Sequence, residues 1–94
     1  MEIEVHRDDQ RHRYYATIDG REAHILFAPA GTGTLDFQHT EVPRELRGHH
    51  VAESLVRQAL DDVRSRGERI IPTCPFVKAF LGRHPEYAAL VAPA

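Results

Sequence analysis

Thr34-Leu35-Asp36-Phe37-Gln38-His39-Thr40-Glu41-Val42-Pro43-Arg44-Glu45-Leu46-Arg47-Gly48-His49-His50-Val51-Ala52 is the stretch in which the chain changes period. Up to Val42 it alternates, with Leu35 and Phe37 on one face and Asp36 and Gln38 on the other, as a half-buried strand does. From Val51 onward the apolar residues are Val51, Ala52, Leu55, Val56, Ala59, Leu60 and Val63. That spacing makes one stripe along a helix, with Glu53, Arg57, Asp61 and Arg64 on the opposite side. Between the two lies a basic loop containing Gly48.

Upstream of this stretch the chain reads as strands. Ile3 and Val5 alternate with Glu2, Glu4 and His6, and Asp8-Asp9-Gln10 reads as a turn. Arg13–Ile18 is rich in strand formers and ends at Asp19-Gly20, a strong hairpin signal because glycine takes positive φ without steric cost. Ala23–Phe27 makes a third strand, broken by Pro29-Ala30-Gly31-Thr32-Gly33. Downstream, Gly67 marks a helix end, and Arg69–Cys74 reads as a short buried strand that stops at Pro75. Phe76, Val77, Phe80 and Leu81 fit one face of a second helix ending near Gly82. Pro85–Val91 supplies a last helical turn or two. Four strands, a helix, a strand and a helix with no linker between them predict one α+β domain over 1–94, a curved, mainly antiparallel sheet packed with helices.

Composition narrows the function classes. The chain has 94 residues, 41% hydrophobic and 28% charged, as expected of a small globular domain. Its net charge of −2 offers no basic surplus for a nucleic-acid backbone. Arg11-His12-Arg13 reads as a solvated hairpin edge. Cys74 is the one cysteine, so no internal disulfide calls for an oxidising compartment. Met1-Glu2-Ile3-Glu4 is unlike a signal peptide, and no apolar run approaches the ~20 residues of a membrane span. A soluble cytoplasmic protein, monomer or weak dimer, without nucleic-acid or membrane partners, is the expectation. The seven histidines show no ligand spacing, so no metal is expected.

The loop before the long helix is where chemistry is expected. The first N–H groups of a helix lack intrahelical acceptors, and the dipole there favours an anion. Arg47 adds formal charge, and no Ser, Thr, Asp or Asn stands at the N-cap to occupy those donors. From these residues alone, a phosphate cradle and a plain strand-to-helix turn both remain open.

Arg47-Gly48-His49-His50-Val51-Ala52 resembles the Arg/Gln-x-x-Gly-x-Gly/Ala motif of the GNAT N-acetyltransferase superfamily, matching at Arg47 and Ala52. The wider pattern is similar to the compact YjdJ-type subfamily of truncated GNAT domains. It comprises His39-Thr40-Glu41-Val42-Pro43, Leu46-Arg47-Gly48, Ala52 with Leu55-Val56, Ile71-Pro72-Thr73-Cys74-Pro75-Phe76-Val77 and Arg83-His84-Pro85-Glu86-Tyr87. The likeness covers residues 3–91 and is strongest over 39–87. It implies a GNAT-like fold, binding of acetyl-CoA, and transfer of acetyl to an amine, on a small molecule or on a protein lysine or N-terminus. A non-catalytic acyl-CoA-binding module is the alternative.

The resemblance also implies roles. Arg47, Gly48, His49, His50, Val51 and Ala52 would hold the pyrophosphate. The sheet would splay near Val42 to pair with the pantetheine arm, and the helix carrying Phe76 and Lys78 would line its other side. Lys78 either reaches a phosphate or points to water. The chain departs from the motif at His50, where the second glycine belongs. If φ there is positive, the residue is strained, and its imidazole either favours the anion or crowds it. Cys74, by the same resemblance, is either an acetyl-accepting nucleophile or a small buried residue. His39 and Glu41 share one strand face, as general-base candidates or as a solvated edge.

Overall fold

The computed structural model describes residues 3–93; Met1, Ala94 and Glu2, the last of which flanks the expected first strand, lie outside them. Five strands form one mixed sheet in sequential order: β1 (His6–Asp8), β2 (Arg13–Ile18), β3 (Arg21–Pro29), β4 (Thr34–Glu41) and β5 (Arg69–Pro72). The first four pair antiparallel, and β5 runs parallel to β4 after the crossover through α1 (Val51–Ser65). A second helix, α2 (Pro75–Arg83), and a 3₁₀ segment (Pro85–Leu90) complete the chain. Both helices and the 3₁₀ segment join one core with the inner sheet face.

The helical stripe explains this packing. Val51, Leu55, Val56, Ala59, Leu60 and Val63 are all buried, against Tyr14, Ile25, Phe27 and Phe37 of the sheet. Each of the valines and leucines contributes about 1.5–3 kcal/mol of transfer free energy, and Ala59 less. The Asp19-Gly20 turn forms as expected. Both residues have positive φ, 51° and 75°, and Ile18 pairs with Arg21 across it.

Two strand expectations are corrected. The first strand lies at His6–Asp8, not over Ile3 and Val5, which pack against the core outside any strand. Asp8 is paired with Arg13, and its carboxylate accepts the amides of Gln10 and Arg11 at 3.1 Å, so the turn begins one residue later than read. That register sends Arg7 inward. Its guanidinium donates to Glu68 at 2.7 Å and to the Tyr14 hydroxyl at 3.1 Å. Burial, reinforced by the hydrogen bond to Asp62, pushes the Tyr14 phenol well above its ordinary pKa.

The fifth strand ends at Pro72, and Cys74 becomes the residue that opens α2. Pro75 sits at the first helical position, where its missing N–H costs nothing.

The alternation also missed a bulge. Phe27 faces Phe37 and Leu26 faces His39, so Gln38 is an extra residue in β4. The phase of the strand reverses there. Thr40, opposite the buried Ile25, lies on the helix side with Leu35 and Phe37, whereas His39 and Glu41 face away with Leu26 and His24. Beyond the bulge, β4 and β5 also part. Their pairing stops at Phe37 and Pro72, closed by the Cys74 amide donating to the Phe37 carbonyl at 2.8 Å. From there β4 runs on to Glu41 while the other chain turns into α2.

Candidate functional site

The loop expected to cradle an anion leads into the uncapped start of α1. Leu46, 4% exposed, anchors the 3₁₀ turn Arg44–Leu46 in the core. The chain then passes Gly48 at φ +84° and His50 at φ +59°, ψ +24° before α1 begins. His50 is the N-cap and makes no side-chain capping bond. Its carbonyl accepts the Ser54 amide at 3.0 Å, the first helical bond, so the amides of Val51, Ala52 and Glu53 remain as donors.

A left-handed conformation is rare for non-glycine residues, although histidine is among those that tolerate it. It costs roughly 1–2 kcal/mol relative to glycine, partly offset by glycine's greater chain entropy. His50→Gly is therefore expected to raise stability by about 0.5–1 kcal/mol, a gain of a few degrees in the melting temperature. Calorimetry of the two proteins checks this. An unchanged or lower melting temperature would mean that the contact of His50 Nδ1 with Glu53, at 3.6 Å, outweighs the strain.

A cleft of about 290 Å³ opens over this loop, lined by Val42, Leu46, Arg47, Gly48, His50, Val51, Ala52, Glu53, Phe76 and Arg83. A second hollow of about 240 Å³ shares Val42, Arg47, Ala52 and Phe76 with it, and adds Thr40 and Glu41. Together they form one groove from the α1 N-terminus to the open edge of β4. Arg47 lies along both halves. Its Nε donates to the Val42 carbonyl at 3.1 Å, which fixes the guanidinium at the rim with its terminal nitrogens free to serve another acceptor.

The structure sorts the expected site residues. Val42, Arg47, Gly48, His50, Val51, Ala52 and Phe76 converge on the groove. His49 is exposed and outside its lining, as is Lys78. Helix phase explains Lys78, since a residue two positions from Phe76 points about 200° away from it. Arg83, seven positions on, returns to within about 20° of Phe76 and lines the cleft. Arg83 and Glu53 were missed as cleft residues, and the heptad spacing from Phe76 was the signal for Arg83.

Cys74 is 3% exposed and lines neither hollow. Its Sγ lies 3.3 Å from Thr40 Oγ1 beneath the floor of the groove. His39, on the outer sheet face, has Nε2 3.1 Å from Glu41 Oε2. Among the described residues, no three His, Cys, Asp or Glu side chains converge as a metal site. No helix among them is long and apolar enough to cross a membrane.

A mixed sheet parting beside an uncapped helix, with a glycine-and-arginine loop at the junction, defines a class of protein. The family described as GCN5-related N-acetyl-transferase matches residues 13–90, and the chain belongs to it. The curated relatives agree. Protein NATD1 of Danio rerio is 32% identical over 89 residues, spanning 90% of this chain and 81% of the relative. Protein NATD1 of Homo sapiens is 31% identical over 85 residues, spanning 88% and 75%. The fold matches the NMR solution structure of a GCN5-like protein from Staphylococcus aureus with a TM-score of 0.72. That likeness has 22% identity and covers 97% of this chain and 89% of the other.

Proposed function

We propose that this protein binds acetyl-CoA in the groove and transfers the acetyl group directly to an amine. The observation that supports this reading best is the continuity of the groove. It begins at unsatisfied helix amides beside Arg47 and ends along the β4 edge that β5 leaves free. The first end suits a pyrophosphate. The second offers backbone donors and acceptors to the amides of a pantetheine arm, and the gap that opens where β4 and β5 stop pairing is our assignment for the amine's approach.

The coenzyme supplies a thioester carbonyl. The protein's part is to orient it, to bring the amine through the gap and to take the amine's proton. His39 is our assignment for the base, with Glu41 holding the imidazole from one side. The amine nitrogen forms the new bond to the acyl carbon, the carbon–sulfur bond breaks, and the coenzyme leaves as a thiolate that takes up a proton from water as His39 releases its own. Burial of Cys74 under Thr40 favours direct transfer over a relay through the thiol. It equally suits a non-catalytic acyl-CoA-binding module, our second reading. The free, unpaired Cys74 fits a cytoplasmic setting.

Calorimetry with acetyl-CoA, followed by assay of free coenzyme released in the presence of small amines and lysine peptides, tests this. Binding with release supports the enzyme, and binding without release from any amine leaves the module. Absence of binding sinks both. For direct transfer, Cys74→Ala is expected to keep turnover within about threefold, since the substitution removes little from the core. Acetyl-Cys74 in the mass spectrum, with turnover lost in Cys74→Ala, would replace it with the relay.

A further inference from the structure

Beyond the pyrophosphate loop, the first two turns of α1 carry a further hollow of about 330 Å³, lined by His50, Glu53, Ser54 and Arg57. It shares His50 and Glu53 with the cleft. We propose that this hollow is a subsite for a phosphomonoester, the 3′-phosphate on the ribose of coenzyme A; the inference rests on the acetyl-CoA reading above.

Three groups there are set to donate. The Ser54 hydroxyl oxygen accepts the Gln58 side-chain amide at 3.2 Å, so its own proton is free to point outward. Gln58 is itself held, donating to the Ile3 carbonyl at 2.9 Å. The Arg57 guanidinium lies over the Phe80 ring, 5.6 Å from its centroid, with the Tyr87 hydroxyl beside it, which fixes its plane and leaves N–H groups to spare. Its contact with Glu53 is 3.8 Å, too long for a hydrogen bond. His50 contributes an 86%-exposed imidazole whose Nδ1 is 3.6 Å from Glu53.

Position suits the ligand. Arg57 stands about 9 Å along the helix axis from Val51. Helical side chains lean toward the N-terminus, which brings its fork back over the first turn. A phosphate one ribose away from the pyrophosphate falls in that interval. Glu53 is the opposing charge, but Arg57 and Arg83 flank it, and His84 Nε2 approaches it at 3.5 Å, so the hollow and the adjoining cleft are not acidic on balance.

The test compares acetyl-CoA with acetyl-3′-dephospho-CoA by calorimetry on the full chain. The wild type is expected to prefer acetyl-CoA by about tenfold or more, the scale of one charge-assisted hydrogen bond. Arg57→Gln and Ser54→Ala should each shrink that ratio while leaving the dephospho compound's affinity nearly unchanged. Arg57→Lys should restore part of it. A purely structural role for Arg57 would weaken both compounds alike and overturn the subsite. Equal wild-type affinities would overturn the subsite alone, and failure to bind either compound would overturn it together with the acetyl-CoA reading.

Discussion

Arg7→Ala is expected to lower the unfolding free energy by about 2–4 kcal/mol, one of the largest effects of any single substitution outside the apolar core. The Arg7 side chain is only 9% exposed. It donates to Glu68 at 2.7 and 3.3 Å, to Asp9 at 2.7 Å and to the Tyr14 hydroxyl at 3.1 Å. It also stacks 5.6 Å from the centroid of Tyr14 and 5.4 Å from that of Phe27. The hydrogen bond to Glu68, more than any other contact, holds its pKa above the ordinary value for arginine.

Removing it leaves Glu68, 19% exposed, without its partner, and strips a cation from two aromatic faces. The partial exposure of Glu68 keeps the expected loss below that of a fully buried pair. On a domain of this length the melting temperature should fall by at least about 10 °C. Arg7→Lys, which keeps the charge and loses the fork, should fall between. A loss under about 1 kcal/mol in denaturant titration would place the cluster with ordinary surface ion pairs.

None of this was legible in the sequence, where Arg7 reads as the residue before a turn. Its partner Glu68 is 61 positions away, and no local period connects them. By contrast, the α1 stripe and the Asp19-Gly20 turn were legible because both are written in neighbouring residues. The groove falls between these cases. Gly48, Arg47 and the missing cap of α1 marked the end at the helix N-terminus. The other end depends on Gln38, one residue too many in β4, and on where β5 stops. Those are facts of pairing, and alternation along one strand cannot express them.

Arg47→Ala is expected to weaken acetyl-CoA binding by about 1–3 kcal/mol, roughly 5- to 150-fold, through loss of a charge-assisted bond to phosphate. The size follows from how Arg47 is held. With Nε spent on the Val42 carbonyl, the guanidinium is oriented before the ligand arrives, so little side-chain entropy is lost on binding. Arg47 lines both hollows, so in the proposed complex it would stand beside the pyrophosphate and the pantetheine arm alike. A phosphate-free acetyl-pantetheine separates the two contributions, and its affinity should change little. Equal losses for both ligands would make Arg47 a wall of the groove with no hold on the anion.

The extra residue at Gln38 also makes the pairing of this strand part of its chemistry. If Gln38 were drawn into regular pairing opposite Leu26, simple alternation would bring His39 to the side now held by Thr40, above Cys74, while Thr40 would turn outward. An imidazole would then stand over the thiol, and the outer surface would lose its His39–Glu41 pair. A one-residue slip in pairing would thus exchange what the strand shows on its two faces without altering any of the residues concerned. Loss of Gln38 itself would leave both faces as they are, because Phe27 would still face Phe37 and Leu26 would still face His39.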